Sequence, residues 1–337
     1  MNQQKVTKII VIDDDPTGSQ TVHSCLLLTR WDTQTLIEGL RDEAPLFFVL
    51  SNSRGMDARQ AAEVTREICI NLRAAIAEIH DEGVSIHPVI VSRSDSTLRG
   101  HYPVETDVIA EELGPFDAHF LVPAFFEGGR ITRDGVHYLM VDGEPVPVDQ
   151  TEFARDSVFG FSTAFLPDYV QEKTAGRIAA DSVERFGLAD VRGDIGERLR
   201  GLSDNACCVV DAEQQSDLDG FARQVLAAAA EGKRFLFRSA ASLLTAFAGL
   251  PPQPVAAAEM SRFVRDRRPG VVLVGSHVDK SSRQLSYLIE NSTILPLHVD
   301  LDAMVRDEES LFAELVQQMV EAERGGRDVV LFTSRGE

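Results

Sequence analysis

Apolar and polar positions alternate in blocks along the chain, and each block carries a structural period. Short apolar runs rich in β-branched and aromatic residues, at 9–12, 46–50, 87–92 and 118–124, predict buried strands. Between the second and third runs, Ala61, Val64, Ile68, Leu72, Ala75, Ile76 and Ile79 recur every three or four residues. That spacing predicts a helix from Asp57, a fitting N-cap, to about Gly83, a fitting stop. Shorter helices are expected over 35–43 and 104–113, with a short strand over 25–28. Strands alternating with helices imply a largely parallel sheet with right-handed crossovers. The rhythm breaks at 131–149, where the turn pairs Asp134-Gly135 and Asp142-Gly143 predict an antiparallel excursion, either an edge hairpin or a dimer arm. Beyond it, 167–203 reads as mainly helical. Strands over 207–211 and 235–237 then flank a helix over 218–231.

Three prolines within 250–254 mark a linker. They divide the chain into a first domain, 1–250, and a second, 256–337. In the second, strands over 271–274, 295–299 and 329–333 alternate with helices over about 280–290 and 303–324. A domain ending on a strand with no covering helix is incomplete, so its remainder is expected from further chain or from a partner. The predicted class is α/β: two domains, each on a mainly parallel sheet flanked by helices, with the antiparallel excursion near 131–149.

Composition narrows the functional classes. A length of 337 residues is ample for two cores, and a net charge of -20 opposes a nucleic-acid partner. No apolar run approaches the length of a membrane span, and no apolar segment precedes the first strand. Cys25, Cys69, Cys207 and Cys208 lack metal-ligand spacing and read as buried, reduced thiols, which places the protein in the cytoplasm.

The chemistry lies where strands end. The first run stops in Asp13-Asp14-Asp15-Pro16-Thr17-Gly18, three adjacent carboxylates that require compensation followed by a forced turn. Later strand ends supply Arg54, Arg93, Asp95, Arg99, Glu127 and Arg130. Guanidiniums alternating with carboxylates at the carboxyl edge of a parallel sheet suit a small carboxylate or phosphate. Ser94, Asp95, Ser96 and Thr97 offer hydroxyls and backbone N–H groups to an anion or polyol, or alternatively cap the helix after them. Gly275-Ser276 has the form of a phosphate cradle. His23 and His277 lie near these turns without a decisive role.

Two families share the acidic turn. Asp13-x-Asp15-x-Thr17 resembles the first motif of haloacid-dehalogenase-like phosphatases, in which Asp13 would be nucleophile and Asp15 general acid. None of the five lysines leads into the paired-carboxylate loop that this chemistry also needs. The stronger resemblance is to the four-carbon acid sugar kinase family. It rests on Asp14-Asp15-Pro16-Thr17-Gly18, Asn52-Ser53-Arg54, Arg93-Ser94-Asp95-Ser96-Thr97-Leu98-Arg99-Gly100, Pro123-Ala124-Phe125 with Gly129-Arg130, Arg238 to Ser242, and Val274-Gly275-Ser276-His277 with Gln284. The resemblance implies a sugar-acid-binding domain followed by a nucleotide-binding domain. ATP, with Mg²⁺, would phosphorylate a hydroxyl of a threonate, erythronate or oxo-tetronate. Asp14, Asp15, Arg54, Arg93, Ser94, Asp95 and Ser96 would contact the acid, with Asp14 or Asp15 as the base, and Gly275 and Ser276 would contact the nucleotide. No metal ligands are singled out, and a homo-oligomer is compatible with the excursion. The family often has Lys at the position of Arg93, and its second domain supplies a Gly-rich loop that lies past residue 337. Without that loop, a sugar-acid-binding protein without catalysis is the third reading.

Overall fold

Lys5–Asp13 form the first strand, β1, and its apolar residues alternate between two cores. Ile9 and Val11 face one, Ile10 and Ile12 the other. A strand buried on both faces reads as an unbroken apolar run, which is why the sequence signal is strong. A computed structural model of the chain describes residues 5–250, 255–263, 268–276 and 278–333. It divides into two units, Met1–Pro252 and Gln253–Glu337. The prolines at 251, 252 and 254 and His277 lie outside the described residues.

In the first unit the chain continues through β2 (Leu27–Leu28), α1 (Thr33–Arg41), β3 (Leu46–Leu50), α2 (Ala58–Asp81), β4 (Ser85–Arg93), α3 (Val104–Leu113) and β5 (Ala118–Val122). A meander of β6 (Arg130–Arg133), β7 (Val136–Val141) and β8 (Glu144–Pro147) follows. The unit is completed by α4 (Leu166–Lys173), β9 (Glu184–Phe186), α5 (Leu188–Val191), α6 (Gly196–Gly201), β10 (Ala206–Val210), α7 (Gln215–Ala230), β11 (Phe235–Ser239) and α8 (Ala241–Ala248). Eight strands form one parallel sheet in the order β2-β3-β1-β4-β11-β5-β10-β9. Apolar residues of α1, α2 and α3 cover one face and those of α7 and α8 the other.

The connection from β1 runs outward to β3, and the chain then returns to the opposite side of β1 as β4. Loops leaving β1 and β4 therefore diverge at their carboxyl ends, the crevice where open α/β sheets bind ligands. Asp57 caps α2 as expected, accepting from Gln60 N at 2.8 Å while the Gln60 side chain accepts from Asp57 N at 3.2 Å.

Several expectations need correction. The helices expected over 167–203 are interrupted by a strand the sequence did not show: α4 ends where Ala175 and Gly176 adopt positive φ, and β9 then pairs with β10 at the sheet edge before α5 and α6. Three residues are too few for a period, so only the partner strand decides β9. The Ser94–Thr97 loop does not cap α3, whose N-cap is Pro103 with no side-chain cap hydrogen bond. The antiparallel excursion is present as expected, as the three-stranded sheet β6-β7-β8, and the buried His137 ring, hydrogen-bonded to Thr132 Oγ1 within it, also meets Ser96 O of the loop after β4. Its turns sit at Asp134-Gly135 and Asp142-Gly143, all four residues at positive φ. Burial pushes His137 down to about 4, so the ring is neutral.

The second unit contains β12 (Val271–Val274), α9 (Asp279–Glu290), β13 (Leu295–Val299), α10 (Leu301–Arg306), α11 (Glu308–Arg324) and β14 (Val329–Thr333). Its parallel sheet has the order β12-β14-β13. The single helix expected over 303–324 is two. Asp307 accepts from Ser310 N and starts α11 afresh, while Asp300 caps α10. Among the described residues of this unit, Val271, Val272 and Leu273 of β12 and Phe312 and Val316 of α11 are exposed.

Candidate active site

The carboxyl ends of β1, β3, β4, β11 and β5 lie side by side, and their first residues beyond the sheet form one ionic group. Backbone bonds lock the loops together: Asp14 N donates to Arg93 O at 3.2 Å, Arg54 N to Asp14 O at 3.1 Å and Ser94 N to Ser239 O at 2.9 Å. Asn52, at φ 53°, turns the chain so that Arg54 folds back over β1.

Asp14 and Arg54 are the centre. Arg54 donates from Nε to Asp14 Oδ2 at 3.1 Å and from Nη2 to Oδ1 at 2.6 Å, and its Nη1 reaches Asp15 Oδ2 at 3.0 Å. A planar fork matched to a carboxylate is the geometry that lysine cannot supply. Ser94 Oγ donates to Asp14 Oδ2 at 3.1 Å. The Asp14 side chain is 1% exposed, that of Arg54 19% and that of Asp15 24%, so Asp15 is the more open carboxylate. Burial raises the Asp15 carboxyl, but hydrogen bonds from Thr17 and the Arg54 charge outweigh it and hold the group below the usual range.

Asp95 is fixed by Arg99 Nε at 2.8 Å and by the Thr97 hydroxyl. Its burial raises it, yet the charges of Arg99 and Arg54 win and keep it well below the ordinary carboxylate range. Arg93 is buried, with Nη1 3.8 Å from Asp13 and 3.9 Å from Asp14, and its Nε has no hydrogen-bond partner among the described residues. Ser96 is buried too, with its carbonyl held by His137 at 2.7 Å.

Asp13 lies underneath. It is 0% exposed, a Cβ on Gly18 would overlap its carboxylate, and its Oδ2 has no partner among the described residues. Burial pushes it up to about 7, with the Asp14 and Asp15 charges adding to the rise and Arg93 opposing it. A carboxylate sealed in this way has no open face for attack on a phosphoryl group, which removes the geometric basis of the phosphatase reading.

Residues 9–247 match the sugar-binding N-terminal domain, and residues 271–337 match the nucleotide-binding C-terminal domain. The chain belongs to the four-carbon acid sugar kinase family. It is 26% identical over 317 residues to a D-erythronate kinase of Heliobacterium modesticaldum, covering 90% of this chain and 66% of the relative. It is 27% identical over 223 residues to a D-threonate kinase of Bordetella bronchiseptica, covering 64% of this chain and 49% of the relative. The matched region is thus less than two thirds of either relative's length. Among solved structures, a domain of unknown function from Bordetella bronchiseptica, a domain-swapped dimer with bound citrate, superposes with a TM-score of 0.53 at 24% identity, over 98% of this chain and 75% of that one. A Haemophilus influenzae protein of the same domain type gives 0.56 at 19% identity, over 97% and 75%. Both likenesses concern the fold.

Within this family framework the structure adds residues that the sequence left out of the site. Arg238, at the end of β11, is 1% exposed and donates from Nη2 to Ser94 Oγ at 3.2 Å and to Arg99 O at 3.0 Å. A charge inside the buried run Phe235-Leu236-Phe237-Arg238 was the available signal. Glu105, in the first turn of α3, is buried and accepts from Ser53 Oγ. Burial, then the Asp14 charge, raises it to about 7. Acidic residues favour any helix start, so nothing marked Glu105 as different. Burial drives both Asp13 and Glu105 toward their neutral forms, which lessens the negative charge that the arginines face. Glu127 is exposed and outside it, and His23 bonds the neighbouring Ser24 at 2.9 Å.

Gly275 and Ser276 follow β12 and are exposed, and the space around Gly275 is open. Among the described residues no group of three or more His, Cys, Asp or Glu is gathered for a metal ion, and no helix is long and apolar enough to cross a membrane.

Proposed function

We propose that this protein is a kinase that transfers the terminal phosphoryl group of ATP to a hydroxyl of a four-carbon sugar acid of the threonate, erythronate or oxo-tetronate class. Residues 1–250 hold the acid and 256–337 the nucleotide. The observation that carries the reading is the Asp14–Arg54–Asp15 array at the switch point of the sheet, in a chain that matches a sugar-binding and then a nucleotide-binding domain. The names of the two kinase relatives support the substrate class. Citrate in the Bordetella bronchiseptica structure, a hydroxy acid, is in keeping with it, and that protein's dimer supports a homo-oligomer here.

Asp14 is committed to Arg54 and Ser94, so its part is to position them. Asp15, more open, accepts the proton of the attacking hydroxyl or orients it; phosphoryl transfer asks mainly for positioning and charge neutralisation. Arg54 and Arg93 supply positive field, and Ser94, Asp95 and Ser96 form the polar wall for substrate hydroxyls. Gly275, with no neighbour in the way, allows phosphate to approach the backbone, and Ser276 offers a hydroxyl. A magnesium ion would be carried chiefly by the nucleotide phosphates, as this ion commonly needs only one or two protein carboxylates.

A coupled ADP-release assay with D-erythronate and D-threonate, paired with calorimetry, tests the reading on the 337-residue chain. Saturable turnover on either acid supports it. Heat of binding without turnover supports the acid-binding protein instead, and neither binding nor turnover overturns both.

A further inference from the structure

The five arginines at these strand ends are not equivalent. Arg54 is occupied by Asp14 and Asp15, and Arg99 by Asp95, with Asp156 at 3.8 Å. Arg93 lies against Asp13 and Asp14, and Arg238 is sealed in the interior. Arg130, where β6 begins, has no described carboxylate within 4.0 Å. Among the described residues its Nη1 donates only to the Gly128 carbonyl and its buried Nε has no partner, and its guanidinium lies 5.8 Å from the Phe125 ring centre. Arg130 N donates to Phe125 O at 2.8 Å just past the end of β5, and His137 ties β6 and β7 to Ser96 in the loop after β4, so Arg130 stands at the same edge as Asp95 and Arg99, whose charges act on it.

The loop is shaped around this side chain. A Cβ on Gly128 would overlap Arg130 Nη1 and press on the Phe125 ring, and Gly129 adopts φ 73° to bring the chain back into β6. A half-buried guanidinium without a counter-charge is costly, and the cost falls when an anion arrives. Burial lowers its proton affinity, and the Asp95 charge opposes that fall.

Resting on the kinase reading, we propose that Arg130 is the residue that binds the substrate's carboxylate, with Arg54 acting as an internal strut for Asp14 and Asp15. The acid end of the substrate then lies toward β5 and β6, and its hydroxyls lie toward Asp15 and the loop after β4.

Calorimetry on the full chain with D-erythronate and D-threonate, and with the neutral polyols erythritol and threitol, tests this assignment. Loss of a charge-assisted contact in Arg130→Gln is expected to weaken both acids about 10- to 100-fold, leaving polyol binding and the KM for ATP unchanged. Arg130→Lys should recover part of the affinity. Gly128→Ala, which keeps the charge but displaces the guanidinium, should weaken the acids in the same direction, and it guards against misfolding of the glutamine variant. Wild-type acid affinity in Arg130→Gln overturns the assignment alone, as does a loss confined to ATP. Failure of the unmodified chain to bind either acid overturns the kinase reading with it.

Discussion

Removing the Arg54 guanidinium leaves Asp14 as a buried charge without its fork. Breaking a buried pair from one side costs about 3–5 kcal/mol, and because Asp14 keeps the Ser94 hydroxyl, with Arg93 3.9 Å away, the lower end, about 3 kcal/mol, is expected for Arg54→Ala. For a unit of this size that corresponds to a Tm lower by about 6–12 °C. Asp14→Asn removes the charge while keeping one acceptor. In that background the further loss of Arg54 should cost only about 1 kcal/mol, giving a coupling of about 2 kcal/mol. Urea unfolding followed by fluorescence measures the cycle. The chain's single tryptophan, Trp31, packs on the core formed by β1, β3 and the helices α1 and α2, so it reports the unit that carries the pair. Single changes that add to the double within about 0.5 kcal/mol would refute the claim that the fork is the keystone of the site.

Two further outcomes follow from the same geometry. Asp13, pushed up to about 7, binds its proton more tightly folded than unfolded, so its contribution is fully present below the unfolded value near 4 and is lost as pH rises through about 7. Asp13→Asn mimics the protonated form, so its stability relative to wild type should increase from about pH 5 to about pH 8 in denaturant titrations. A pH-independent difference would show that Asp13 is not buried as described. Asp57→Ala removes the capping box of α2 and should lower stability by about 1 kcal/mol, read as a shift in urea midpoint at constant slope, whereas Asp57→Ser should restore most of it.

The elements legible in the sequence were those whose burial is complete or whose caps are local. The strand at Leu46–Leu50 and the helices Val104–Leu113 and Ala58–Asp81 follow from short-range rules: apolar runs, a three-to-four spacing, an Asp–Gln capping box. The break at Asp307 was also locally encoded, by an aspartate three residues before Ser310, but a continuous apolar period concealed it. The edge strand at Glu184–Phe186 had no local code, because the strand it pairs with lies more than twenty positions away.

The candidate site divides the same way. That carboxylates and guanidiniums gather at the ends of parallel strands is determined by the sequence, since strand ends fall where apolar runs stop and parallel connection puts them on one edge. Which cation meets which anion was decided only by the tertiary structure. Asp13, Asp14 and Asp15 are chemically identical along the chain, yet one is sealed under Gly18, one is buried in the Arg54 fork, and one, paired with the same guanidinium, is the most open. Desolvation and ion pairing depend on neighbours brought in from β3, β4 and α3, so three identical side chains acquire three different roles.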